Sequence, residues 1–325
     1  MTAPARTDAL AILGEDVRGS DTAYHALVTA GMAGMNVRKV PVLHNGKPVR
    51  GKWLLEDDRN GEALPGIVVG DDFTPYQYEQ VAEVLDVVAR RTGAVFDRAG
   101  YMDVTSYGLG GARGFISMRL PHQLSFGGDK VDAYIAAFMS HGTGSNLLTP
   151  TGTRVECANQ QPAMAQEKYR VIIRHTSSVE ARHRYAGEVL TNSVAAIKTA
   201  TYEANQLLAV KTTDDQFRDM IERAFPIKGD GKGTVTRHQN KIDKMMVIRH
   251  GDTNRGIVGT AWGDYQTMLE FIEWHQRIRG GDDSTHDDEY VNPTTLRARR
   301  ALIQPSVARD QARALEVVRE LAGLK

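Results

Sequence analysis

The chain has 325 residues, 41% hydrophobic and 25% charged, with 40 Lys plus Arg against 40 Asp plus Glu. That is the composition of a globular protein with a core; it argues against a uniformly basic coat for nucleic acid and leaves room for a local basic face. A single cysteine excludes an internal disulfide framework and a cysteine-rich zinc site. No apolar run approaches the roughly 20 residues of a membrane span, and the first ten residues lack the apolar stretch of a signal peptide. The expectation is a soluble protein of the reducing cytoplasm with no membrane partner.

Residues 1–20 are small, polar and mixed in charge, and read as a mobile N-terminal arm. A single α+β core domain is expected over residues 21–278. Within it, two extended runs over residues 37–55 flank Asn45-Gly46, a strong hairpin signal. A second Asn-Gly at 60 and 61 and the apolar run Ile67-Val68-Val69 complete a small antiparallel meander. Thr74-Pro75 opens a helix whose apolar residues Val81, Val84, Leu85 and Val88 recur at helical spacing, and Thr92-Gly93 ends it. Four strand-like runs follow, the last being residues 168–176, with residues 141–160 between the third and fourth read as loop. This order implies an antiparallel sheet. A long helix is predicted over residues 179–208 and a shorter one up to Pro226. The Gly-, Lys- and Thr-rich residues 228–241 read as loop, followed by a helix over 261–278. Residues 279–293 read as a linker, and 294–325 as a helical C-terminal tail interrupted by Pro305.

Searches for catalytic motifs return little. GDGKGT at 229–234 has the wrong spacing for a phosphate loop, and the glycine-rich residues 107–114 join two strands without the helix a pyrophosphate needs. No cofactor is implied. His141, Cys157, His175 and His183 form the region densest in reactive side chains. A thiol nucleophile is one reading of Cys157, a buried small hydrophobe the other. No metal-ligand spacing surrounds the histidines. The clustered carboxylates at 56–58, 71–72, 282–283 and 287–289 all fall in predicted loops, where acidic runs are solvated.

Zero net charge hides uneven local charge. Residues 168–184 hold five basic residues and one acid, residues 228–250 six and two, and the tail from Val291 seven and three, whereas residues 56–72 hold one and six. Strand alternation puts Arg113, Phe115, Ser117 and Arg119 on one face of their strand and Arg170, Ile172 and Arg174 on one face of another. If the faces coincide, the sheet offers arginines for phosphates and apolar groups for bases, as a single nucleic-acid strand requires. The same pattern fits a half-exposed sheet with ordinary solvated arginines.

Ser140-His141-Gly142, then Arg154-Val155-x-Cys157-x-Asn159, then Arg174-His175-Thr176 resemble the signature of the phage/plasmid-like protein family defined by domain of unknown function 932. Gly66 to Gln80 and the Gly-Thr-Ala-Trp run from Gly259 are similar to further segments of that family. Gly142-Thr143 stands in place of the family's Asp after the histidine, and Gln160 in place of the Thr after Asn159. More remotely, the order of helix, meander and long helix resembles the core of Rad-type single-strand annealing proteins, which form rings and hydrolyse no nucleotide. These resemblances imply an ATP-independent single-stranded DNA-binding and annealing protein of phage or plasmid recombination, a homo-oligomeric ring in the host cytoplasm. The phosphate contacts expected are Arg113, Arg119, Lys168, Arg170, Arg174 and Arg182, with Arg154 a weaker candidate. Lys228 and Lys232, with Gly229 to Thr234, form a second clamp. The competing readings are an enzyme using His141, Cys157 and His175, and a structural or host-interacting phage protein.

Overall fold

The computed structural model describes residues 8–102, 112–121, 123–126, 128–142, 146–162, 166–173, 179–227, 229, 231–276 and 293–324. Its fold is α+β with antiparallel sheets and a long helix, as the sequence predicts.

Residues 8–20 are packed rather than a loose arm. Helix α1 (Ala9–Leu13) is capped by the Asp8 carboxylate, and β1 (Glu15–Asp16) pairs with β5 (Val95–Tyr101). Ala9 and Leu10 of α1 are buried, and so is Val17, whose amide donates to the Asp97 carbonyl of β5 at 3.1 Å. The close approach needs Gly14: a Cβ there would stand 2.6 Å from the Phe115 ring. Helix α2 (Ala23–Thr29) follows.

Strands β2 (Val37–His44), β3 (Lys47–Asp57) and β4 (Glu62–Val69) form the expected meander. Asn45 and Gly46 both take positive φ (49° and 72°), as a tight two-residue hairpin turn demands. Strand β4 pairs with β3 only from Trp53 onward, so the stretch from Val42 to Lys52 is a two-stranded ribbon without a third strand.

Helix α3 (Tyr78–Thr92) starts later than Thr74-Pro75 predicts. Gln77 is the cap, in a reciprocal capping box with Gln80, while Gln77 also bonds the backbone of Val37 and ties the helix to the meander. Gly93 ends the helix in the left-handed conformation.

The main sheet runs β1-β5-β6-β8-β9-β10, with β6 (Arg113–Arg119), β8 (Asp129–Ser140), β9 (Asn146–Arg154) and β10 (Val171–Ile173); β7 (Leu124–Phe126) pairs with β8. Strand β9 occupies residues read as loop from their Thr, Pro and Gly content. Pro150 fits because β10 reaches only Asn146 to Leu148, so Pro150 lies beyond that pairing. The fourth predicted strand shrinks to β10. Residues Glu167–Tyr169 form one 3-10 turn instead, and residues 174–178 lie outside the described residues.

Helix α4 (Val179–Ala209) joins the two large cores. Its Tyr185, Ala186 and Val189 pack with α3 and the sheet residues Ile116, Ile135 and Ala137. Its Ala200, Ala204 and Leu207 pack with α5 (Asp214–Ala224), α6 (Lys232–Arg249), α7 (Ala261–Glu270) and α9 (Pro305–Leu321). Each fully buried Leu, Val or Phe in these cores is worth about 1.5–3 kcal/mol. Helix α6 spans most of the stretch read as loop: from Thr234 the chain holds Ile242, Met245 and Ile248 at helical spacing, which outweighs Gly231 and Gly233. Every residue of α7 is buried, and a π-helical turn, Phe271–His275, extends it. Helices α8 (Pro293–Ile303) and α9 close the chain; α8 packs on α1, and its Leu302 joins Leu10, Met102 and Phe115 on the second face of the sheet. Among the described residues no helix is long and apolar enough to cross a membrane.

Candidate nucleic-acid interface

The arginine-lined sheet face predicted from strand alternation is not an open surface. Phe115 and Ser117, the residues between Arg113 and Arg119, are fully buried, Phe115 under α1 and α8. Arg113 pairs across from Ser140 and Arg119 from Tyr134, at opposite ends of β6. At about 3.3 Å per residue they stand roughly 20 Å apart. Arg113 is exposed; Arg119 is half-buried and its charge acts on the Asp97 carboxylate. Ile172 is half-exposed, and Arg170 precedes β10 rather than lying in it.

Arg154 is no surface phosphate contact: it is 1% exposed and its donors are spent inside the protein. Nε donates to both oxygens of Asp129 (2.8 and 2.9 Å), and Nη1 to Asn254 Oδ1 (3.0 Å) and Cys157 Sγ (3.2 Å). Nη2 donates to the Thr253 carbonyl. Asp129 also accepts from the Trp262 indole at 2.9 Å. Lys232, exposed, is the first residue of α6, so the second clamp is helical from there on. Arg174 and Lys228 lie outside the described residues, as does the side chain of Arg182 in α4.

The turn after β9 explains the buried motif residues. Ala158 has φ 59°, a left-handed conformation unfavourable for a residue with a Cβ. The Arg154 amide donates to the Asn159 carbonyl and the Ala158 amide to the Arg154 carbonyl, both at 2.9 Å, and Asn159 Nδ2 donates to the Gln266 carbonyl of α7 at 3.0 Å. The turn is thus locked to the buried helix. Burial pushes the Cys157 thiol up to about 12, which removes the thiolate at neutral pH. His141 is buried, stacked on Tyr78 with ring centroids 4.0 Å apart, and its Nδ1 donates to the Tyr76 carbonyl at 2.9 Å. Burial pushes its pKa down to about 4. His141 bonds Tyr76 and stacks on Tyr78, Cys157 bonds Arg154, and His175 lies outside the described residues, so no Cys–His hydrogen bond stands among the described residues.

One of the predicted cations, Arg170, does meet a concave surface. Strand β9 and helices α8 and α9 leave a cleft of about 700 Å³ between them. Phe138, Leu147, Thr149 and Thr151 line its sheet side, and Leu302, Ala308, Ala312 and Leu315 its helical side. Gln166 and Arg170 line one margin; Lys168, two residues before Arg170, is exposed, with Nζ 4.9 Å from the Tyr169 ring. Arg309 and Arg313, each one residue past a lining alanine, are exposed. Arg319 lines the cleft and is ion-paired with Glu203. In the cleft wall Gln161 exchanges amide hydrogen bonds with Gln266 of α7 (3.0 and 3.2 Å), and the Gln160 amide (3.0 Å) and Gln311 Nε2 (2.8 Å) donate to Glu273. Burial pushes the Glu273 carboxyl up to about 8. Apolar walls, a partly exposed aromatic ring and the guanidinium groups of Arg170 and Arg319 give the cleft the chemistry to hold a partly apolar ligand that carries negative charge. The sequence discloses Arg170 but not the cleft, since its other wall comes from helices over 100 residues away.

No curated protein and no solved structure matches the chain. The family described as Domain of unknown function (DUF932) matches residues 67–302, more than half of the chain, and spans His141, Arg154, Cys157 and Asn159 together with the buried helix α7. The network that fixes the turn after β9 is therefore built inside the matched region, and the chain belongs to the domain of unknown function 932 family.

Proposed function

We propose that this protein binds single-stranded nucleic acid without ATP and anneals it, as a phage- or plasmid-encoded recombination protein working in the host cytoplasm as a homo-oligomeric ring. The observation that carries the reading is the cleft between β9 and α8–α9, whose lining includes Phe138, Leu147 and Arg170. A base stacks on an aromatic face whatever its sequence, and a guanidinium at the margin takes the phosphate that follows. Thr149, Thr151, Gln160, Gln161 and Gln311 of the walls already have hydrogen-bond partners inside the protein, which leaves few polar groups to read one base against another. The contact set moves from the sheet face to the cleft, where Arg170 is in the lining and the exposed Lys168, Arg309 and Arg313 stand within two residues of lining positions in sequence.

Fluorescence anisotropy of a labelled 30-mer oligothymidylate across a KCl series tests this. The expected result is binding that weakens steeply with salt and needs no nucleotide. Phe138→Leu and Arg170→Gln should each weaken it by about tenfold, given about 1–3 kcal/mol per stacked base. Absence of salt-sensitive binding removes the reading. Complementary labelled strands, followed by energy transfer without ATP, test annealing itself.

A further inference from the structure

The ribbon of β2 and β3 projects from the small sheet and carries charge of one sign. Between Val37 and Leu55 the sequence has five basic residues, Arg38, Lys39, Lys47, Arg50 and Lys52, and no acid. Two are occupied at the base: Arg38 pairs with Glu56 and Asp58, and Lys39 bonds the Asp71 carbonyl with Nζ 5.3 Å from the Trp53 ring. The Trp53 indole donates to the Asp71 carboxylate at 2.7 Å, which fixes the ribbon's root. Lys47, Arg50 and Lys52 are exposed and form no ion pair among the described residues. Every residue from Leu43 to Arg50 is exposed, so both faces of the distal ribbon meet solvent; Leu43 (60% exposed) and Val49 (37%) lie among the cations.

A free strand edge needs protection from pairing with other chains, and Pro41 and Pro48 with any charge would supply it. Protection explains neither the single sign of the charges nor the two apolar side chains left at the tip. Both suit a polyanion whose bases are accessible. We infer that the β2–β3 ribbon is a nucleic-acid-binding arm, with Lys47, Arg50 and Lys52 on phosphates of a single strand and Leu43 and Val49 against its bases. The inference rests on the single-strand binding proposed above; the arm precedes the family-matched residues 67–302 and shares no residue with the cleft lining, so it would be a second contact.

The test measures oligothymidylate anisotropy against KCl for wild type, Lys47→Gln/Arg50→Gln/Lys52→Gln, and a control of equal charge change on other exposed cations, Lys198→Gln/Lys211→Gln/Arg218→Gln. Circular dichroism checks that each variant is folded. Removing three phosphate contacts should lower the slope of log K against log salt by about 2 and the low-salt affinity at least tenfold. The control triple should change neither by a comparable amount, and Lys47→Arg/Lys52→Arg should bind as wild type. The inference is overturned if the ribbon triple matches wild type or the control. It is also overturned if the ribbon triple loses binding to phosphatidylserine vesicles while keeping oligonucleotide binding. A loss in the ribbon triple with none in Phe138→Leu and Arg170→Gln removes the cleft and leaves the arm; the reverse removes the arm and leaves the cleft.

Discussion

Arg154 Nε lies 2.8 and 2.9 Å from the two oxygens of Asp129, and both side chains are only 2% exposed. This pair fixes the end of β9 to the start of β8, through Asn254 and Thr253 to the segment that leads into α7, and through Trp262 to α7 itself. Removing the guanidinium leaves a buried carboxylate whose remaining support is the Trp262 indole. Arg154→Ala should therefore cost on the order of 3–5 kcal/mol, read as a lower urea midpoint. Arg154→Lys should recover only part, because one ammonium cannot reproduce donors aimed at an acid, an amide, a carbonyl and a sulfur at once. A midpoint unchanged in Arg154→Ala would show that the pair holds nothing in place.

The same residue marks how much the sequence disclosed. The meander, α3, α4 and α5 were legible because each rests on local signals: Asn45-Gly46, Gly93, apolar spacing and a stop at Pro226. Strand β9 and helix α6 were not, since Pro150, Gly152 and Gly231 read as breakers until their neighbours are known. The signature Arg154-x-x-Cys157-x-Asn159 was legible as a motif, but burial, which decides between phosphate contact and buried ion pair, is a tertiary property. The ribbon's charge was in plain sight. A wide count hides it, because the six acids of residues 56–72 follow it directly and cancel it.

Two buried groups set opposite pH limits on stability. The Glu273 carboxyl rises by burial from its ordinary 4.5 to about 8. Below 4.5 it is protonated folded and unfolded, and its contribution is complete. As pH climbs, the unfolded chain releases the proton first, and the contribution is lost through about 8. The His141 imidazole falls from 6.5 to about 4. Its contribution is complete above 6.5 and is lost as pH falls through 4. Urea midpoints measured from pH 4 to 9 should thus decline at both ends. Glu273→Gln should flatten the alkaline side, since Gln311 can turn its amide to meet the new one. His141→Gln should flatten the acid side at some cost in packing on Tyr78. An alkaline decline that persists in Glu273→Gln assigns it to another group.

Cys157 separates the nucleic-acid reading from thiol chemistry. The thiol is fully buried, accepts a hydrogen bond from Arg154 Nη1, and is held protonated by its surroundings at neutral pH. Iodoacetamide should leave it unmodified in the folded protein at pH 7.5 and modify it promptly in urea, with mass spectrometry as the readout. Cys157→Ala removes one small buried acceptor and leaves a small void, so it should lower stability by about 1–2 kcal/mol. Oligonucleotide binding should stay at the wild-type level, because Phe138, Arg170 and the ribbon are untouched. Rapid alkylation of the folded chain, or loss of oligonucleotide binding in a folded Cys157→Ala, would return the cysteine to the centre of the function.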